Sequence, residues 1–254
     1  MSRTLLLGKH GDILSVLPCL HAEFKETGVK PSLIVAKEYA ALPKSLPWLS
    51  VEEFPGTFER IGEAIKWAKQ RGQIDYLPQM SGVGYPSPVR KHPSFQYDQW
   101  DRMGRLHQWQ ELGLELPRLT PATMGIATPK DWGRKYILIA DHSQSSPFAH
   151  IEDLHDSLTK SFPDYQIARL SALRLPNLLY GLVALDDASL IVTIDTAWLH
   201  LSRAVKTPVI ALVTDHPSTW HGSAWHPRFA MHCRYADYEL RKSELLWTAK
   251  EILT

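Results

Sequence analysis

The chain has 254 residues, 44% of them apolar and 22% charged, and a formal net charge of +1 at pH 7. That composition excludes a disordered chain, and the near-balanced charge supplies no global basic field for nucleic acid or a membrane surface. The two cysteines, Cys19 and Cys233, make neither a disulfide framework nor a zinc pattern, and no run is apolar enough for a signal peptide or a membrane span, so a cytoplasmic location is expected.

The N-terminal part opens with an apolar run of strand length, RTLLLG, and a KHGD loop. In the following ILSVLPCLHAEFKETG, Ile13, Val16, Leu17, Leu20 and Phe24 recur at helical spacing and Gly28 supplies a stop. Pro18 removes a backbone donor inside that pattern and should kink the helix. SLIVA then reads as a second strand, KEYAALPKS as a short helix, VEEF as a third strand, TFERIGEAIKWAKQRG as an amphipathic helix and IDYLPQ as a fourth strand. A loop over residues 80–93 precedes a helical pattern in SFQYDQWDRMGRLHQWQELG, and the proline- and threonine-rich LELPRLTPATMGIATPKDWGRK is in part a linker. A second alternating run follows: YILIA, a helix around EDLHDSLTKSF, YQIARL, the helix LPNLLYGLVALDD, LIVTID, the helix TAWLHLSRAV, PVIALV, RFAMHC and a closing helix SELLWTAKEIL. Strand–helix alternation predicts parallel sheets with helices on their faces. The expected architecture is α/β, with two Rossmann-like domains facing across a cleft: residues 1–120, a linker over 121–135, and residues 136–254.

Two segments carry chemistry. In GKHGDILSVLP, Asp12 stands where a helix should begin, and taken alone it reads as an N-cap accepting free helix N–H groups. In ASLIVTIDTAWLHLSRAVKTPVIALV, the buried strand LIVTI delivers Asp195 and Thr196 at its carboxyl end, and a helix starts at once with His200 in its first turns. Free N–H groups near Ala197 and Trp198, the Thr196 hydroxyl and His200 would offer donors to a phosphate. Taken singly, Asp195 and Thr196 are a second cap and His200 a core histidine.

Together the two segments resemble glycosyltransferase family 9, the ADP-heptose:lipopolysaccharide heptosyltransferase-like enzymes. The resemblance rests on Gly11-Asp12 with Leu17-Pro18, and on Asp195-Thr196-Ala197-Trp198-Leu199-His200-Leu201 with Ala204 and the run from Thr207-Pro208 to Leu212. It implies a GT-B fold and inverting transfer of a sugar from a nucleotide-diphosphate sugar to an acceptor hydroxyl, with Asp12 as base, Gly11 allowing close approach, and no metal or other cofactor required. The absence of a DxD motif agrees with that. It also implies that Asp195, Thr196, Ala197, Trp198 and His200 bind the diphosphate. Three departures stand out. Ala197 replaces the family's glycine and is tolerable only with a negative φ. DHSQSSPFAHIEDL lacks the lysine usual after that strand, leaving Ser143, Ser145, Ser146 or His150 for the phosphate, Ser143 and Ser146 foremost. The chain is also shorter than typical members, chiefly in the part that shapes the acceptor site.

The acceptor therefore stays open: a saccharide or lipid-linked glycan, which would bring the protein to a membrane surface, or a hydroxylated base in nucleic acid. Lys9 and His10 beside Asp12, and Lys91, His92, Tyr97 and Trp100 farther on, are candidates to hold it. His216, His221 and His226 are spaced for one face of neither a helix nor a strand, so no metal site is expected of them, and Trp220 and Trp225 would line the donor pocket. Gly8 and Gly11 do not complete a GxGxxG motif, which disfavours a nicotinamide dehydrogenase. The alternative from another class is a non-catalytic nucleotide or nucleotide-sugar binding protein, motivated by Ala197 and the missing lysine.

Overall fold

A computed structural model of the chain describes residues 3–75, 135–144, 146–173, 175, 178–214 and 229–254. The chain divides into two compact units, Met1–Glu115 and Leu116–Thr254. The expected helix over residues 94–113, the loop before it, most of the linker and the histidine- and tryptophan-rich stretch over residues 216–226 lie outside the described residues.

In the first unit, β1 (Arg3–Leu5), β2 (Ser32–Ala36) and β3 (Ser50–Phe54) form a parallel sheet in the order β1-β2-β3. Every residue of β2 is buried, as an apolar run covered on both faces requires. The helix α1 (His10–Thr27) joins β1 to β2 and buries Ile13, Leu17 and Leu20 completely, worth about 1.5–3 kcal/mol for each such side chain. It starts three residues before Ile13 and continues past Pro18 as one helix, so the missing Pro18 donor does not end it. Gly28 closes it at φ 70°, donating its N–H to the Phe24 carbonyl at 2.8 Å, a left-handed cap that glycine adopts at least cost. KEYAALPKS becomes a 3₁₀ turn, Lys37–Tyr39, and a single turn of helix, α2 (Ala41–Lys44). A third helix, α3 (Ile61–Lys69), sets Ala64 and Ala68 against Leu5, Ile34 and Phe54. On the side of β1 away from β2, Asp75 donates its N–H to the Arg3 carbonyl at 2.9 Å and accepts the Arg3 N–H on Oδ2 at 2.7 Å. That contact is where IDYLPQ begins, and its remaining residues lie outside the described set.

The second unit holds five parallel strands: β4 (Tyr136–Ala140), β5 (Gln166–Arg169), β6 (Leu190–Thr193), β7 (Val209–Val213) and β8 (Phe229–Arg234), in the order β5-β4-β6-β7-β8. The chain leaves β4 towards one edge, to β5, and then returns to its other side at β6. That reversal makes the carboxyl ends of β4 and β6 the switch point, where open α/β sheets place ligands. Ile137, Ile139, Val192, Ile210 and Leu212 pack with Leu154 and Leu158 of α4 (Ile151–Ser161) and with Tyr238, Leu245 and Ala249 of α7 (Tyr238–Leu253). Residues of the opposite parity are buried as well, and Tyr136 donates its hydroxyl to the Ala184 carbonyl of α5 (Leu178–Asp187) at 2.6 Å, which places α5 on the other face. The helix α6 (Ala197–Leu201) has only five residues before a 3₁₀ turn, shorter than TAWLHLSRAV suggests. The closing helix begins five residues earlier than SELLWTAKEIL does.

Two helical glycines make opposite predictions. A Cβ at Gly181 of α5 would fall inside the six-membered ring edge of Trp198 and 3.2 Å from Leu175, whereas one at Gly62 of α3 meets nothing within 4 Å. In urea unfolding, Gly62→Ala should raise stability by roughly 0.5–1 kcal/mol, and Gly181→Ala should lower it by about 1–3 kcal/mol.

Candidate active site at the strand ends

In the first unit the candidate residues gather at the carboxyl end of β1. Lys9, with φ −74° and ψ 178°, is the N-cap of α1, so Asp12 is the third helical residue and not the cap expected of it. From there its Oδ2 reaches back to accept the Lys9 N–H at 2.9 Å, satisfying a donor that the helix start leaves free. The carboxylate keeps an open edge to solvent. Burial of its inner side raises its pKa above the ordinary 3.8, and the Lys9 N–H and ammonium pull the other way without cancelling it. The close approach in this loop is at Gly8, where a methyl group would lie 2.6 Å from Asp12 Oδ2 and 2.7 Å from its Cγ. Gly11 is an internal residue of α1 with helical backbone.

Three strand ends supply the surroundings of Asp12. His10 meets the Tyr39 ring edge-on at 4.8 Å, Tyr39 meets Phe58 at 5.9 Å, and Lys9 Nζ stands 5.5 Å from the centre of the Phe58 ring. Burial lowers the His10 pKa below 6.5 despite the nearby Glu38, so its imidazole is neutral at pH 7. Tyr39 stays protonated, pushed up by burial and by Glu38, Asp12 and Glu59. Lys9, His10, Gly11 and Asp12 are thus brought together, and Gly8, Tyr39 and Phe58 join them. Lys91, His92, Tyr97 and Trp100 lie outside the described residues.

In the second unit the loops after β4, β6 and β8 meet through one phenol, and the end of β7 joins them through Asp195. Tyr235 Oη accepts the Asp195 N–H at 2.9 Å and donates to the Ser146 carbonyl at 3.1 Å. Ser146 in turn donates its N–H to Ser143 Oγ at 3.1 Å, and Thr214 donates its hydroxyl to Asp195 Oδ2 at 2.8 Å. Asp195, Ser143 and Ser146 are therefore one connected group. Thr196 is the N-cap of α6, but its side chain makes no cap hydrogen bond. Ala197, as the first residue of a right-handed helix, has the negative φ that its methyl group needs. The N–H groups of Ala197 and Trp198 have no acceptor within the helix. The Trp198 side chain packs on Gly181 of α5, so its ring belongs to the packing of that face. His200 is half-buried and shares a face of α6 with Ala197, while Leu199 and Leu201 enter the core. His150 Nδ1 pairs with Glu239 at 2.9 Å and its ring lies 5.3 Å from Tyr238, which fastens that loop to α7.

Tyr235 and Thr214 were not found by sequence reasoning, since neither lies in a motif and their partners are distant in the chain. Among the described residues no three His, Cys, Asp or Glu side chains gather closely enough to hold a metal ion, and no helix is long and apolar enough to cross a membrane.

Comparison with known proteins bears on both units. Residues 156–244 match the family model "Glycosyltransferase family 9 (heptosyltransferase)". No curated protein sequence matches the chain. Among solved structures, a glycosyl transferase family 9 protein from Veillonella parvula aligns over 99% of this chain and 97% of its own, at 12% identity and a TM-score of 0.60. E. coli ADP-heptose lps heptosyltransferase II aligns over 100% and 98%, at 12% identity and 0.59. E. coli heptosyltransferase WaaC with ADP aligns over 98% and 99%, at 15% identity and 0.53. The fold is the GT-B type of those structures, and the stretch over residues 156–244 is similar to the glycosyltransferases of family 9.

Proposed function

We propose that the chain is an inverting, metal-independent glycosyltransferase that moves a sugar from a nucleoside-diphosphate sugar to an acceptor hydroxyl, with Asp12 as the base. The observation that carries this reading is the Asp12 carboxylate, anchored by the Lys9 N–H at the carboxyl end of β1 and still open to solvent. One oxygen stays on the cap while the other takes the acceptor proton. The acceptor oxygen then bonds to the anomeric carbon as the bond from that carbon to the phosphate oxygen breaks, its electron pair leaving with the nucleoside diphosphate. Attack opposite the leaving group inverts the configuration.

The leaving diphosphate needs donors, and the switch point of the second unit offers them. The N–H groups of Ala197 and Trp198, the Thr196 hydroxyl, His200, Ser143 and Ser146 stand at the ends of β4 and β6. A five-residue helix has little macrodipole, so individual N–H and O–H groups carry this stabilisation. That E. coli WaaC was solved with ADP and with ADP-2-deoxy-2-fluoro heptose makes an adenine nucleotide the first donor to try. Lys9 and His10 hold the acceptor beside Asp12, and a saccharide is the acceptor class this reading favours.

A thermal-shift screen against ADP, UDP, GDP and CDP tests the donor site, because a ligand bound only by the folded state raises the unfolding temperature by mass action. One nucleoside diphosphate should raise it, by an amount set by about 2.7 kcal/mol at a hundredfold excess over its Kd. No shift with any of the four would defeat the reading.

The raised Asp12 pKa sets a pH dependence. The base works ionised, so turnover is full above that pKa and falls as pH drops through it. The acid limb of kcat/KM should therefore lie above 3.8. The same shift makes a contribution to folding that is complete below 3.8 and lost as pH rises through the raised value. A pH–rate profile with its acid limb at or below the ordinary aspartate value would contradict the assignment.

A further inference from the structure

We infer that Tyr235 is a positioning residue that holds the donor-binding loops of the second unit in register. The inference deepens the reading of the switch point as the nucleoside-diphosphate site and rests on it. The Tyr235 hydroxyl is the shared atom of two loops: it accepts from the backbone of Asp195 after β6 and donates to the backbone of Ser146 after β4. These two loops flank the switch point. Both ends of the Ser146 residue are held, its N–H by Ser143 Oγ and its carbonyl by Tyr235. Asp195 is likewise held twice, its N–H by Tyr235 and its carboxylate by the Thr214 hydroxyl at the end of β7.

The geometry requires a neutral phenol, since only the protonated hydroxyl donates and accepts together. Burial keeps it so, raising its pKa well above the usual tyrosine value of 10. Its ring is seated independently, 4.8 Å from Phe148, so the hydroxyl is removable without emptying the ring's place. An aspartate carboxylate engaged by Thr214 and set next to a diphosphate would repel it if it faced the phosphates directly. Its service here is to fix the peptide that leads into Thr196 and Ala197, the groups that touch the donor.

Tyr235→Phe deletes both hydrogen bonds and keeps the ring. Tyr165→Phe is the matched control, because Tyr165, just before the amino end of β5 and away from the carboxyl ends, also donates its phenol to a backbone carbonyl, that of Leu253, at 3.0 Å. Isothermal titration of the full chain with ADP, UDP, GDP and CDP should show the tightest of them weakened about tenfold in Tyr235→Phe, the loss expected for a hydrogen bond to a buried group. Tyr165→Phe should keep the wild-type Kd. Thr214→Val, which removes the hydrogen bond from the Thr214 hydroxyl to the Asp195 carboxylate, should weaken the same nucleotide severalfold, and Thr214→Ser should restore it. Wild-type affinity in folded Tyr235→Phe overturns the inference and leaves the donor reading standing, and equal weakening in Tyr235→Phe and Tyr165→Phe reduces Tyr235 to a generic stabilising residue. Should Tyr235→Phe not fold, wild-type affinity in Thr214→Val overturns it instead. If the wild type binds none of the four nucleotides, the donor reading falls and this inference with it.

Discussion

In each unit the candidate polar groups stand at carboxyl ends of strands because all the described strands of each sheet run parallel. A parallel ladder needs a crossover after each strand, and the start of that crossover is the one place where the chain is neither in the sheet nor yet packed on its face. Asp12, Tyr39 and Phe58 follow β1, β2 and β3; Ser143, Asp195, Thr214 and Tyr235 follow β4, β6, β7 and β8. The apolar strands pin those loops from below, with Leu138, Ile139, Ile191, Val192, Ile210 and Ala211 wholly buried. Precision at the site is thus inherited from the ladder register.

Asp12 combines a role in the helix start with the position of the proposed base. As third residue of α1 it closes the helix start through the Lys9 N–H, a favourable interaction for the ionised form. The same crowding removes water from its inner side, and that effect is the larger, since the net shift of its pKa is upward. A carboxylate that is anchored yet less comfortable ionised than in water is a better proton acceptor than an ordinary surface aspartate. Gly8 makes the arrangement sterically available: any side chain there would push the carboxylate off its N–H.

Much of the fold was legible in the sequence, and for a physical reason. SLIVA and YILIA are fully buried strands whose apolar runs leave no other placement, and they match β2 and β4 residue for residue. Helix ends were less legible. α1 begins at His10 behind an uncommon cap, Lys9, whose own N–H is held by the Asp12 carboxylate, and α6 stops at Leu201 in a 3₁₀ turn. Within the candidate site, Asp12 and the segment from Asp195 to His200 were visible as motifs because local geometry ties a strand end to a helix start. Tyr235 was not, because its partners Asp195 and Ser146 are 40 and 89 residues away in the chain and only the sheet order brings them together. Trp198 stands out as an aromatic in a phosphate-type turn, yet its ring answers to Gly181 on the neighbouring helix.

In the proposed mechanism, donor binding resides at the switch point of the second unit and proton removal on Asp12 of the first. Asp12→Asn tests it most directly, because the amide oxygen still accepts the Lys9 N–H while the basicity is gone. With the nucleotide sugar whose nucleoside diphosphate stabilises the wild type, titration should return a wild-type Kd, and the rate of nucleoside diphosphate release on transfer should fall by about 10²–10⁴-fold. Turnover at the wild-type rate in Asp12→Asn would contradict the account.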